Sequence, residues 1–414
     1  MFDLDKWQEI FNTISKHKLR TGLTALGVFW GIFMLIFLMG AGQGLENGVM
    51  GLFGNHAKNS LYMGSSFTTK PYMGLKPGRQ VELNLGDVDA IVAEYGNRIA
   101  HLAPRLWMNS GEVRRGDSKG AFDVRGDMPD LIHIDAIKIT EGRFLNKMDI
   151  NDRRKIAVIG SRVKEVLFEE DEEAIGGYIK IRGVEYKVVG IMTSSRRGND
   201  AMDDNKTIFL PITTVQQLTN RPNKIGMFVC AMKPHVQVSA VEDNIKALLK
   251  KRHRIAPDDR QGIWSDNIEE EFQQIQGLFM GIKFLVWFVG IGSLLAGVIG
   301  VGNIMLIIVK ERTKEIGVRK ALGATPRSII SMILLESVFL TTIAGYFGLV
   351  SGVFIIWLLN VAVGEGSQFY SNPEVNVGVG FIALFILIVC GALTGLIPAM
   401  QAANVNPVVA LKDE

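Results

Sequence analysis

Between Thr21 and Leu45 the chain carries no charged residue. At a rise of about 1.5 Å per residue, about 25 helical residues cross a hydrocarbon core of roughly 30 Å. Three further runs share this character: Phe284–Val309, which is uncharged; the stretch after Pro326, which holds one carboxylate, Glu336; and Val377–Met400, again uncharged. Lipid offers no water to unpaired backbone groups, so such runs cross it as helices. A secretory signal peptide competes for the first run because Lys16, Lys18 and Arg20 precede it, but the run is too long and lacks an A-x-A cleavage pattern. Glu336 does not stop the third run from inserting. Its cost on the insertion scale is at most about 3 kcal/mol, against roughly 4 to 8 kcal/mol returned by some thirteen Leu, Ile, Val and Phe between Ser337 and Leu359.

The runs divide the 414 residues into spans at 21–45, 283–309, 328–360 and 377–400. The intervening segments are a large one at 46–282, a short loop at 310–327 and another at 361–376 that holds Glu365 and Glu374. Residues 1–20 precede the first span, and 401–414 follow the last. Leu4, Trp7, Ile10, Phe11 and Ile14 recur at steps of three and four, which predicts an amphipathic helix lying on the inner leaflet. The loop at 310–327 carries Lys310, Arg312, Lys314, Arg319, Lys320 and Arg327 against only Glu311 and Glu315. By the positive-inside bias it is cytoplasmic, which places both termini in the cytoplasm and the segment 46–282 outside.

Forty-eight per cent hydrophobic content suits a membrane protein. Lys and Arg number 45 against 42 Asp and Glu, so a nucleic-acid partner has no electrostatic support. The topology puts Cys230 outside and Cys390 within a span, and they should not pair. His17, His56, His101, His133, His235 and His253 are scattered without metal-ligand spacing, so no metal site is expected.

The segment 46–282 has the mixed charge and short apolar strands of a folded domain. KIAVIG at 155–160, YIKIRG at 178–183, EYKVVGIM at 185–192 and TIFLPI at 207–212 predict strands, with helices at Ser161–Phe168 and Val241–Arg252 between them. This order indicates an α+β unit. Beyond it Ile268, Phe272, Ile275, Phe279, Ile282, Val286 and Val289 alternate steps of four and three, a heptad seam that continues through Ser293, Ala296 and Gly300. The seam starts among Glu269, Glu270 and Glu271 and runs into the second span, which predicts one helix projecting as a stalk. Small residues at its inner end let helix backbones approach closely in lipid. The partner helix is either a second copy across a dimer axis or the first span of the same chain.

Arg312, Glu315 and Arg319 can share one helical face before Gly323 and Pro326 end the turn, which predicts a short amphipathic helix along the membrane surface. Charge alone fits a solvated anchoring loop equally well. Glu336 lies about ten residues beyond this loop, and intramembrane carboxylates face protein or water. It is either a polar contact that transmits loop motion or a static partner for a nearby cation or backbone group. A proton relay would need a second acidic or histidine residue in these spans.

The string EIGVRKALGAT closely resembles the cytoplasmic loop of the MacB-like/FtsX-like family of ABC transporter permeases. HKLRTGLTALGVFWG at the first span occurs in the family's order with EGRF at 141–144, RKIAVIG at 154–160, AIGGYIKI at 174–181 and IFLP at 208–211. The closing IPAMQAANVNPVVALKDE resembles the family's final motif at Pro398, Ala399, Ala402, Pro407, Ala410 and Leu411, although Met400 and Gln401 stand where the family commonly has basic residues. The resemblance implies an α+β membrane protein, with four transmembrane helices and a large extracytoplasmic mixed α/β domain on a helical stalk, in the bacterial inner membrane. It implies a permease subunit that works as a homo- or heterodimer and couples ATP hydrolysis elsewhere to movements of the external domain, for export. In the family the loop at 310–327 forms a coupling helix that docks on an ATPase, and Arg312, Glu315, Arg319 and Lys320 are the candidate contacts. A periplasmic adaptor and an outer-membrane channel are further partners that the family admits. Alternatives within the resemblance are an FtsX-like regulator of an extracytoplasmic hydrolase and a lipoprotein-release permease. Some members carry the ATPase fused ahead of the first span, and the short stretch before Thr21 leads us to expect it on another chain.

Catalytic signatures are missing from the sequence. A phosphate-cradling G-x-x-x-x-G-K-[ST] string does not occur, nor do G-x-S-x-G or H-E-x-x-H. ATP and Mg are therefore expected on a partner, with no cofactor, metal or catalytic residue in this chain. The glycine clusters at 40–44 and 297–302 fall in or beside spans, where helix packing explains them.

Overall fold

The computed structural model describes residues 18–108, 111–169, 171–363, 367, 369–373 and 377–404. The amphipathic helix predicted at 4–14, Glu365, Glu374 and the closing residues Pro407, Ala410 and Leu411 lie outside the described residues. The chain divides into two units, Met1–Val49 with Leu278–Glu414, and Met50–Gly277.

The first unit is helical. Its membrane helices are Lys18–Phe53, Ile268–Glu311, Pro326–Val363 and Val377–Ala403, of which the first two continue past the unit boundary. All four are long and apolar enough to span a bilayer. The second helix has 44 residues, about 66 Å at the standard rise, well beyond the hydrocarbon thickness. Val28, Ile32, Ile36, Val301, Met305, Ile333 and Leu387 form its core. Helix backbones meet closely where a side chain is missing. A methyl group at Gly348 of the third helix would lie 2.5 Å from the Phe29 carbonyl oxygen of the first. Ser337 and Thr341, both buried, face the fourth helix, where the Ser337 hydroxyl donates to the Gly391 carbonyl at 3.0 Å.

The connection after the third helix returns across the first. Ser371 N–H donates to the Gly44 carbonyl at 3.0 Å, and the Asn47 amide donates to the Asn372 carbonyl at 2.8 Å. The Tyr370 ring lies where Gly44 has no side chain: a Cβ there would come within 2.5 Å of it.

The second unit is built on one mixed sheet. Its strands run in the order Ile263–Asn267, Ser60–Ser65, Met227–Met232, Ile99–Met108, Asp123–Asp127, Thr207–Pro211, Ile156–Gly160, Val184–Ser194, Tyr178–Ile181, Glu112–Arg115 and Ser118–Ala121. Ile137–Gly142 also pairs with Val184–Ser194. The strands and helices predicted between 155 and 252 form, as Ile156–Gly160, Ser161–Leu167, Tyr178–Ile181, Val184–Ser194, Thr207–Pro211 and Ser239–Arg252. Ile99–Met108 serves two neighbours, pairing with Met227–Met232 as far as Arg105 and with Asp123–Asp127 from Leu106 onward.

At that handover sits a buried ionic cluster. Arg105 Nε lies 2.8 Å from Asp127 Oδ1 and its Nη2 lies 3.0 Å from Asp135 Oδ2, while Arg196 Nη2 reaches Asp135 Oδ1 at 3.1 Å. Burial opposes ionisation of Asp135, but Arg105, Arg125 and Arg196 hold its carboxyl below the usual range. His56 closes the cluster just after the first helix. Burial, with Arg196 and Arg105 beside it, lowers its pKa to about 4, so the ring is neutral at pH 7. Arg196 can only donate, and it reaches His56 Nδ1 at 3.2 Å, so Nδ1 accepts and the proton sits on Nε2, against the Tyr62 hydroxyl.

A second buried carboxylate fixes a surface loop. Asp259 is 0% exposed and accepts from the backbone N–H groups of Thr69, Lys70, Gln261 and Gly262. Burial raises its pKa, but these bonds outweigh it and hold the value at about 2, below the ordinary 3.8. A depressed carboxyl stabilises the fold fully above about pH 4, and that contribution is lost as pH falls toward 2. Asp259→Asn should lower the melting temperature at pH 7 and flatten its decline between pH 4 and 2, as scanning fluorimetry of the detergent-solubilised chain would show.

Candidate functional site

The loop between the second and third membrane helices folds as a helix, Thr313–Ala321, offset from its predecessor by one non-helical residue, Arg312, at φ −96° and ψ 10°. The Thr313 hydroxyl donates back to the Lys310 and Val309 carbonyls, at 2.8 and 3.1 Å, which secures the corner. Gly323 ends the helix at φ +99°, a conformation that a Cβ would strain, and Ala324 N–H donates to the Arg319 carbonyl at 3.0 Å. Pro326 then opens the third membrane helix, where its fixed φ suits the first turn.

Three of the four candidate coupling residues are tied to the membrane helices. Arg312 Nη1 lies 3.3 Å from Glu336 Oε2, so the intramembrane carboxylate, 6% exposed, meets a cation from the loop. Arg319 donates to Met332 Sδ on the third helix at 3.0 Å and pairs with Glu315 Oε1 at 3.0 Å. Lys320 Nζ donates to the Ala403 carbonyl at 2.7 Å, placing a cation at the negative end of the fourth helix. Ile316, 2% exposed, packs into the core between these contacts. Glu315 itself is exposed.

The other face of the short helix is apolar and open. Val318 is 44% exposed and Leu322 83%, with Ala321 and Lys314 exposed beside them. Sequence reasoning singled out the charges and passed over this face, although Val318, Ala321 and Leu322 are spaced at three and four.

The heptad seam is distributed unevenly. Ile268 and Phe272 are buried in the second unit, with Phe272 edge-on to Phe53 at 5.8 Å. Ile275 is half-buried. In the first unit, buried Phe279 and half-buried Ile282 border a cavity of about 190 Å³ shared with Leu38 and Gln43 of the first membrane helix. Ser293 meets that helix too: a Cβ on Gly31 would lie 3.0 Å from its carbonyl oxygen. Ala296 is exposed, however, and a Cβ on Gly300 would find nothing within 4 Å. Contact with the first helix passes instead to Gly297, where a Cβ would lie 3.4 Å from Gly27 O. A heptad repeat falls about 20° behind a straight α-helix every seven residues, so the stripe facing one neighbour cannot keep strict heptad steps.

Two family descriptions match the chain: a MacB-like periplasmic core domain over residues 21–248 and the C-terminal region of FtsX-like permeases over 287–407. Among curated proteins, the chain is 28% identical over 406 residues to the macrolide export ATP-binding/permease protein MacB of Bdellovibrio bacteriovorus, covering 98% of this chain and 61% of that one. It is 29% identical to the pyoverdine export ATP-binding/permease protein PvdT of Pseudomonas entomophila, covering 96% and 58%. The chain thus spans about three fifths of the length of these relatives. Among solved structures, the periplasmic region of MacB from Actinobacillus actinomycetemcomitans aligns at a TM-score of 0.43 and 16% identity, over 54% of this chain and 94% of that one.

The ion pair at the loop can be weighed by a double-mutant cycle. Arg312→Gln and Glu336→Gln should each destabilise the protein, and the double substitution should lose less than their sum by about 0.5–3 kcal/mol. Unfolding by SDS titration would measure this, and strictly additive losses would show that the two side chains do not interact.

Proposed function

Because the chain belongs to the family of FtsX-like permeases with a MacB-like periplasmic core domain, we propose that it is the transmembrane subunit of an ABC transporter, driven by an ATPase that acts on the loop at 310–327. The observation that carries this reading is the bonding of that loop. Arg312 reaches Glu336 on the third membrane helix and Lys320 reaches the end of the fourth. A displacement of Thr313–Ala321 therefore pulls on two spans at once. Arg312, Arg319 and Lys320 hold the short helix to the spans, and Glu336 receives the pull.

In this reading the loop faces the cytoplasm, both termini lie on the same side, and the unit Met50–Gly277 works outside the bacterial inner membrane. The second membrane helix, continuous from Ile268 to Glu311, carries the displacement outward. Substrate is handled on the outer side and exported without passing through the helix bundle. ATP and Mg are bound by the ATPase, and the permease acts as a dimer. The names of the relatives MacB and PvdT, macrolide and pyoverdine exporters, support export as the activity.

Purification of the tagged chain from native membranes in mild detergent, with mass spectrometry of what remains bound, tests the reading. An ATP-binding protein should co-purify, and its ATP turnover should change when the permease is added back. Absence of any ATPase from a preparation that keeps the permease dimeric would overturn it. An extracytoplasmic hydrolase bound beside the ATPase would assign the chain to regulation instead of export.

A further inference from the structure

The helix Thr313–Ala321 is amphipathic in a sense opposite to that of a helix on a soluble domain. Arg312, Ile316, Arg319 and Lys320, at steps of four, three and one, turn toward the third and fourth membrane helices. Lys314, Val318, Ala321 and Leu322 repeat the pattern on the opposite face and are exposed. The cations nominated from sequence as contacts thus point at the chain's own spans, and the outward side chains are mostly apolar.

We propose that Val318, Ala321 and Leu322 form the apolar knob by which the chain engages its ATP-binding partner, while Arg312, Arg319 and Lys320 are positioning residues that hold the knob to the spans. This rests on the reading that an ATPase drives the chain. Leu322 stands at a corner, 83% exposed, and Gly323 at φ +99° turns the chain away directly behind it. A projecting leucine on a rigid base fits a pocket, and holding it in place beforehand lowers the entropy that docking must overcome. The neighbouring groups favour protein over lipid as the occupant. Lys314 shares the face, and the exposed carboxylates Glu311 and Glu315 flank it, so insertion among acyl chains would have to carry charge with it. The curated relatives name ATP-binding and permease activity together, which puts an ATP-binding body against a permease of this kind.

Site-directed photocrosslinking separates the two faces. The full-length chain is expressed in its own cells with p-benzoylphenylalanine in place of Val318, Arg319, Lys320 or Leu322, irradiated, purified by a tag and probed with radiolabelled 8-azido-ATP. Positions 318 and 322 should give an adduct that labels with the nucleotide, and positions 319 and 320 should not. Leu322→Ser should reduce the co-purifying ATP-binding protein about tenfold, while Arg319→Gln should leave most of it bound. A nucleotide-labelled adduct at 319 or 320 and none at 318 or 322 would overturn the knob and leave the ATPase reading standing. Adducts at 318 and 322 formed only with lipid or with a second copy of this chain would also overturn it. No nucleotide-labelled adduct at any of the four positions would remove the ATPase reading beneath it.

Discussion

Inside a bilayer, burying apolar surface against protein gains little over leaving it against lipid, so the membrane helices must be held by close backbone approach and by the few polar groups they carry. The first unit follows this constraint throughout. Gly348 admits the backbone of the first helix, Gly297 admits that helix from the other side, and the Ser337 hydroxyl donates to the Gly391 carbonyl. Glu336 would be costly alone in hydrocarbon, and Arg312 meets it from the loop. The same bond that settles the carboxylate fixes the corner of the loop, so the polarity of one span and the position of the short helix are a single problem with a single solution.

The external unit solves a different problem with similar means. Its long strand Ile99–Met108 changes partner in the middle, and the cation at the change, Arg105, is held by two carboxylates from elsewhere in the sequence. Removing one member of such a cluster leaves charge buried without its counterpart, which costs more than the cluster contributes. His56 extends the cluster to the chain leaving the first membrane helix, where Asn55 N–H also donates to the Ser195 hydroxyl at 2.9 Å.

The legible parts of the sequence were those whose pattern is local. Uninterrupted apolar runs gave the four spans, and short apolar strands next to turn residues gave Ile156–Gly160 and Val184–Ser194. Ile99–Met108 was not legible, because Pro104 and Arg105 in its centre argue against a strand unless a partner is known for the cation. Asp127 and Asp135, which supply that partner, lie 22 and 30 residues away. The loop shows the same limit. Its charges fit a helix with either face outward, and the choice depends on Glu336, Met332 and the Ala403 carbonyl, which are remote in sequence. The seam shows a further one: a heptad count is accurate over two turns and drifts over six.

The strap at Phe369–Asn372 bears on how the membrane unit can move. Its backbone hydrogen bonds fasten the first helix at Gly44 and Asn47, while Arg312 and Lys320 fasten the short loop helix to the third and fourth helices. A bundle stitched at both rims cannot splay at one end like an opening clothes-peg without breaking one set of stitches. The motions left to it at low cost are those of a solid rod, tilting and sliding along the membrane normal.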